Sequence, residues 1–289
     1  MDIFLQQIIN GLTLGSVYAI VALGYTMVYG IIQLINFAHG EIYMIGAFVA
    51  FIVSGVLTLS GYGGATVLLL AGVVAIVYAA AYGYTLEKIA YRPLRAAPRL
   101  SPLISAIGAS IFLMNYVQLA QTPDFLPFPE LISDFEFMEP ISRFVSSVDL
   151  VILVVTTLTM IALTVLIKYT RIGKAMRATQ QDAVMARLVG INVDRVISST
   201  FIIGSVLAAI AGVLIASRTG QINSAIGFMA GLKAFTAAVL GGLVLGIAET
   251  LGAGYISSAY EDVFAFGLLV LILTLRPAGL LGKAVKQKV

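Results

Sequence analysis

Long, uninterrupted apolar runs separated by short polar segments dominate the chain. They cover Ile3–Ile35, Ile42–Leu59, Ala65–Leu86, Leu103–Ala120, Leu150–Ile167, Val196–Ser217, Gly227–Ile256 and Val263–Leu275. A helix crosses a bilayer with about 20 apolar residues, so the pattern predicts about eight transmembrane helices. The runs are continuous rather than alternating, which selects helices over a barrel. The first and seventh runs exceed the length of one straight span and contain glycine, so each is expected to be tilted, broken or re-entrant. Asp2 precedes the first run with no Lys or Arg, unlike the basic start of a signal peptide, so that run reads as the first span.

Composition agrees with the pattern. Of the 289 residues, 60% are hydrophobic and 11% are charged, where soluble domains carry about 25% charged residues. The fold class is therefore all-α, a single polytopic membrane domain over residues 1–289. Cysteine is absent and His39 is the one histidine. Disulfides are excluded, and no zinc or haem site is expected.

The placement of charge gives an orientation. Lys88, Arg92, Arg95 and Arg99 fall in one segment, and Lys168, Arg171, Lys174, Arg177, Arg187 and Arg195 in another. Arg276, Lys283, Lys286 and Lys288 fall in the tail. Together these are 14 of the 17 basic residues. Basic loops stay in the cytoplasm, so residues 87–102 and 168–195 and the C-terminus are expected inside. Residues 121–149 carry Asp124, Glu130, Asp134, Glu136, Glu139 and Asp149 against Arg143 alone and are expected outside. Counting spans back puts the N-terminus outside. Counting forward puts the tail inside only if the seventh run enters and leaves on one side, which predicts a re-entrant or broken element around Gly241–Gly242. Such backbone is tolerated at membrane depth only where protein or water covers it.

Small residues recur four apart at Gly11/Gly15, Ala208/Gly212, Gly227/Gly231 and Gly242/Gly246, a spacing that lets helices approach closely. No catalytic set stands out. Gly173-Lys174 and Gly282-Lys283 are each followed by alanine and lack the upstream glycine of a phosphate-binding loop, so ATP binding by this chain is not expected. The basic loops lack interleaved aromatic platforms, so no nucleic-acid partner is expected.

Polar residues inside apolar runs are costly and often functional. Asn36, His39 and Glu41 lie between the first two runs, either lining the inner mouth of a pathway or forming a solvated turn with a helix cap. Asn115, inside the fourth run, is either an interhelical hydrogen-bonding group or a pore-lining one. Glu249, in the seventh run, needs a partner or water if it sits at depth, and Lys233 in the same run is placed to snorkel. The segment 168–195 is longer than a mere connector. After Gly173 it reads as an amphipathic helix with Met185, Leu188 and Val189 on one face, stopped by Gly190. Such a helix seeks either a groove in a partner protein or the lipid surface.

That segment resembles the cytoplasmic coupling loop of ABC importer permeases, with Ala186-Arg187-Leu188-Val189-Gly190 matching the Ala-x-x-x-Gly core of their shared motif. The whole chain resembles the branched-chain amino acid permease family, H-subunit type. Asn10-Gly11-Leu12 through Asn36-Phe37-Ala38-His39-Gly40, Tyr91-Arg92-Pro93-Leu94-Arg95 with Ser101-Pro102-Leu103-Ile104, Gly231 through Gly242, and Arg276-Pro277-Ala278-Gly279-Leu280-Leu281-Gly282 carry the resemblance. Two departures stand out. Asp182 occupies roughly the place of the motif's glutamate. A Gly/Ile/Pro/Gly-containing insert expected after Gly242 is missing.

The resemblance implies the membrane subunit of an ATP-driven importer in a bacterial or archaeal cytoplasmic membrane. It would pair with a second homologous permease and two ATPase subunits, which carry the ATP and Mg. An external solute-binding protein would deliver leucine, isoleucine or valine, and the acidic outer segment would contribute to its docking face. The implied coupling residues are Asp182, Ala183, Ala186, Arg187 and Gly190. A urea or amide importer of the same class is the near alternative. An ion-coupled secondary transporter would need more buried carboxylates than the sequence offers, and an intramembrane enzyme would need a catalytic set.

Overall fold

The computed structural model describes residues 2–34, 36–95, 97–98, 100–133 and 145–276. The apolar runs become helices α1 (Asp2–Ile32), α2 (His39–Leu59), α3 (Gly64–Leu86), α4 (Leu100–Ala120) and α5 (Ser147–Tyr169). Two short helices follow, α6 (Arg171–Gln181) and α7 (Ala183–Leu188). The remaining helices are α8 (Val193–Thr219), α9 (Ile226–Leu240), α10 (Gly242–Tyr255) and α11 (Glu261–Leu275). The protein is thus an all-α polytopic membrane protein. Among the described residues, six helices are long and apolar enough to cross a bilayer, and the bent pair α9–α10 makes a seventh candidate. The eighth apolar run forms α11, whose 15 residues fall short of the usual span of about 20.

Of the two long runs, α1 is unbroken and the seventh is broken. The chain bends by 115° between α9 and α10, at Gly241, whose φ of 90° and ψ of 126° suit glycine. A turn beyond 90° carries α10 partly back towards the side from which α9 came. Protein covers this break. In α1, Gly11 and Gly15 lie against Gly242 and Gly246 of α10, and a Cβ on Gly15 would sit 2.7 Å from the Gly242 carbonyl oxygen. The two four-residue spacings, read separately in the sequence, are the two halves of one helix crossing.

The centre of the bundle is α1, α2 and α8, whose buried positions run around most of each helix. In α3 burial is confined to Val67, Ala71, Ala75, Ala79, Gly83 and Leu86. This stripe of mostly small residues at four-residue spacing packs closely on its neighbours, Gly83 against Ser205 of α8. The outward faces of α3, α4 and α5 expose Leu69, Val77, Ile104, Phe112, Leu158 and Ile161, as lipid or an apolar partner requires.

At the bundle end where α8 finishes, Leu126–Pro127 (β1) pairs antiparallel with Gln221–Ile222 (β2). Arg218 joins three elements there: its Nε donates to Asp149 Oδ1 at 3.0 Å and its Nη2 to Asn10 Oδ1 at 3.2 Å. Asp149 also forms a capping box with Ser146 at the start of α5. Asp134, Glu136, Glu139 and Arg143 of the acidic segment lie outside the described residues, as do Arg99 and the lysines of the tail.

Candidate functional site

The segment resembling a coupling loop is two helices rather than one. Thr170 caps α6, its hydroxyl accepting from the Gly173 amide at 3.1 Å. The helix stops at Asp182, which has extended backbone (φ −157°, ψ 107°). The same aspartate then caps α7, with Oδ1 accepting from the amides of Val184 at 2.8 Å and Met185 at 2.9 Å. An acid at this place therefore has a local physical role, satisfying amides that the first turn leaves free. The far end closes on Gly190 (φ 88°). Its amide donates to the Arg187 carbonyl at 3.0 Å, and the Ile191 amide to the Ala186 carbonyl at 2.9 Å, which is the Schellman arrangement. Ala186 is buried against the bundle, while Val184, Met185, Leu188 and Val189 are all more than half exposed. The result is a six-residue helix, capped at both ends, that exposes apolar side chains away from its own bundle.

Directly behind it, α8 starts at Val193 and its first turn is tied to the end of α3. The segment Glu87–Arg99, read as a loop, is helical through Leu94, first as a π turn (Glu87–Tyr91) and then as a 3-10 turn (Arg92–Leu94). Glu87 is fully buried, ion-paired with Arg95 and accepting from Ser198 of α8 at 2.7 Å. Arg95 also reaches Asp194 Oδ1 at 2.5 Å, and Arg92 reaches Asp194 Oδ2 at 3.3 Å.

Asn36, His39 and Glu41 do not form a solvated turn; all three are buried. Nor does Asn36 cap α2: the N-cap is Ala38, with no side-chain bond. Asn36 Oδ1 accepts from Tyr91 at 2.7 Å, and Glu41 Oε1 accepts from Ser110 of α4 at 2.9 Å. The His39 ring sits edge-on to Tyr25 at 6.1 Å and over Gly24. Among the described residues, Asn36 Nδ2, His39 Nε2 and Glu41 Oε2 find no hydrogen-bond partner. Buried polar atoms are normally satisfied by protein or ordered water, which sets these three atoms apart from the bonded oxygens of Asn36 and Glu41.

Glu249 is buried within the bundle and has a partner. It is fully buried and ion-paired with Lys233, which also approaches Asp262 at 2.9 Å, Glu261 at 3.6 Å and the Tyr18 hydroxyl at 3.3 Å. Lys233 does not snorkel to an open surface, because acids on α10 and α11 meet it. Asn115 joins none of these groups. It faces outward from α4, its amide bonded back to the Ile111 carbonyl at 2.8 Å. Among the described residues no group of three or more His, Asp or Glu side chains is placed to hold a metal ion. Sequence reasoning missed Tyr91, Ser110, Asp194 and Asp262 as partners. Each lies more than 25 residues from the group it serves, and no local spacing announces it.

These features define a multi-pass α-helical membrane protein with buried polar groups and a capped two-helix turn at one end of the bundle. The family described as branched-chain amino acid transport system, permease component, matches residues 7–273. The high-affinity branched-chain amino acid transport system permease protein LivH of Escherichia coli K12 is 51% identical over 301 residues, covering 99% of this chain and 98% of the relative. BraD of Pseudomonas aeruginosa, named in the same terms, is 49% identical over the same shares. The LivM permease protein of E. coli K12 is 25% identical, covering 93% of this chain and 68% of the relative. The 301-position alignments exceed the 289 residues of this chain, so the relatives carry residues opposite gaps here. No solved structure matches. The chain belongs to the branched-chain amino acid permease family, whose members are transport components of the cytoplasmic membrane.

Proposed function

We propose that the chain is the H-type membrane subunit of an ATP-driven importer for leucine, isoleucine and valine. The observation that carries this reading is the α6–α7 turn. A capped helix with exposed apolar side chains outside the spans suits a groove in another protein, and this chain has no phosphate-binding loop of its own. Two ATPase subunits, holding ATP and Mg, would dock at Asp182–Gly190, with residues 87–102 and 168–195 facing the cytoplasm. Similarity to both LivH and LivM supports a second, homologous permease beside it. A solute-binding protein would dock at the opposite end, near β1 and β2.

The mechanism needs no bond change in the substrate. When the ATPases close, α7 moves as a unit because its two ends are fixed by Asp182 and Gly190. The motion passes to the start of α8 and, through Asp194, Arg95 and Glu87, to the end of α3. Displacing two packed helices switches the bundle between outward and inward access. Asn36, His39 and Glu41 provide polar atoms that a solute can meet on the way, and the Lys233–Glu249 pair pins the broken element beside it.

The test is uptake. In an E. coli strain lacking LivH, the chain is expected to restore uptake of labelled leucine, with competition by isoleucine and valine and not by urea or short amides. A chain that inserts and co-purifies with the ATPase subunits, yet moves amides and not leucine, would reassign the substrate. Leucine movement in vesicles without the ATPases would instead indicate a secondary transporter.

A further inference from the structure

The side of the bundle where α3 ends and α8 begins holds a pocket of about 440 Å³. Its lining combines basic and polar residues with two apolar ones. Arg195 is one of the lining residues, is exposed, and makes no ion pair among the described residues. Arg92, half exposed, makes a single 3.3 Å contact with Asp194, a carboxylate already held at 2.5 Å by Arg95. The one acid in the lining is therefore engaged by two arginines, and the lining carries net positive charge. Neutral donors accompany it. Asn192 Oδ1 accepts from the Arg195 amide at 3.0 Å, and among the described residues neither the Asn192 NH₂ nor the Ser199 hydroxyl has a bonded partner. The apolar part of the lining is Tyr84, in the last turn of α3, and Ile202, in the third turn of α8. Lys88 lies over the Tyr84 ring, 5.5 Å from its centroid.

We infer that this pocket binds the phosphate-bearing headgroup of an anionic lipid. Guanidinium groups with neutral donors beside them match phosphate oxygens, and basic pockets between spans at the cytoplasmic side are suited to such headgroups. The apolar part of the lining distinguishes a lipid from free phosphate, since Tyr84 and Ile202 belong to the spans and offer surface to an acyl chain. No lining residue lies on α6 or α7, so the pocket is separate from the proposed ATPase contact. Because Asp194 forms part of the lining, an occupied pocket fixes the same joint between α3 and α8 through which α7 would act. The inference uses the proposed orientation only to name the leaflet.

The test is thermal unfolding of the full chain in detergent, titrated with phosphatidylglycerol, phosphatidylcholine or inorganic phosphate. Phosphatidylglycerol is expected to raise the midpoint saturably and phosphatidylcholine not to. Arg195→Gln should weaken the phosphatidylglycerol effect by about five-fold, the equivalent of the ~1 kcal/mol that one basic residue contributes at an anionic surface. Arg171→Gln, an equal charge change at the start of α6, should leave it unchanged. Equal responses to the two lipids, or equal loss in both variants, would overturn the site. Inorganic phosphate acting as strongly as the lipid would also overturn it, in favour of a free anion. An unchanged lipid effect in Arg195→Gln with reduced capture of ATPase subunits would reassign the arginine to a partner's acidic surface.

Discussion

Lys233 and Glu249 are ion-paired across the bend between α9 and α10, 16 residues apart in sequence. The two partners are not equivalent. Lys233 has further acids at hand, Asp262 at 2.9 Å and Glu261 at 3.6 Å, whereas Glu249 is fully buried and its second oxygen has no partner among the described residues. Removing one member of a buried pair costs about 3–5 kcal/mol when the other is left as an uncompensated charge. Lys233→Met is therefore expected to approach that cost, and Glu249→Gln to fall well below it. Removing both charges together should recover most of the loss. Unfolding of the purified single and double variants measures this. Equal single effects, or a double variant as unstable as the sum, would contradict the asymmetry.

The α1–α10 crossing predicts a contrast among glycines. Gly15 and Gly246 each sit against the partner backbone, and a Cβ on Gly15 would meet the Leu243 Cα at 2.9 Å. Backbone does not yield as a side chain does. Gly15→Val or Gly246→Val should destabilise the fold by about 1–3 kcal/mol or more, the scale of overpacking, and lower the amount of folded protein in the membrane. Gly108 has no atom within 4 Å of an added Cβ, so Gly108→Ala should be accepted. The readout is folded yield by size-exclusion in detergent, where loss in Gly108→Ala matching that in Gly15→Val would refute the crossing.

The contrast between Asn115 and Glu249 shows what the sequence made legible. Both are polar residues inside apolar runs, and hydropathy alone treats them alike. Only the bend at Gly241, which brings Lys233 beside Glu249, separates a buried charge from an outward amide that satisfies itself on its own helix. The helices were legible because each apolar run meets the bilayer independently of the rest. The break in the seventh run at Gly241 was legible from the positions of Lys and Arg, a topological constraint needing no contacts. The Gly190 stop also was legible, since glycine ends helices for local reasons. Two features were hidden. Asp182 breaks α6 from α7 inside a stretch whose apolar spacing reads as one helix, because its carboxylate competes for amides that periodicity cannot register. The pairing of Gly11/Gly15 with Gly242/Gly246 was hidden because spacing marks a face and says nothing of what covers it.

The joint between α3 and α8 separates a buried charge from an exposed one. Glu87 is fully buried beside Arg95, which is itself mostly covered, while Asp194 has nearly half its side chain exposed. Arg95→Met should leave Glu87 with Ser198 alone and destabilise the protein by about 3–5 kcal/mol. Asp194→Asn removes a solvent-screened pair, so its effect on stability should stay within about 1 kcal/mol. If the joint transmits motion, Asp194→Asn should nonetheless lower leucine uptake relative to ATP hydrolysis in the assembled importer. A loss of stability in Asp194→Asn as large as that in Arg95→Met would show that the exposed pair is structural.

The two ends of α7 should fail in the same way for different physical reasons. Asp182→Ala removes a cap that satisfies two amides, at a local cost of about 1 kcal/mol. Gly190→Ala forces a Cβ into φ 88°, strain on the order of 1–2 kcal/mol. Neither change touches the buried centre, so insertion and the unfolding midpoint of the bundle should move little. The helix between them would lose its fixed aim, and with it the rigid transmission on which the proposed coupling depends. Leucine uptake per ATP hydrolysed should fall in both variants, while Asp182→Asn, whose amide oxygen still caps, should retain most of it. Equal uptake per ATP in Asp182→Ala and the unaltered chain would mean that α7 is not where the motor is felt.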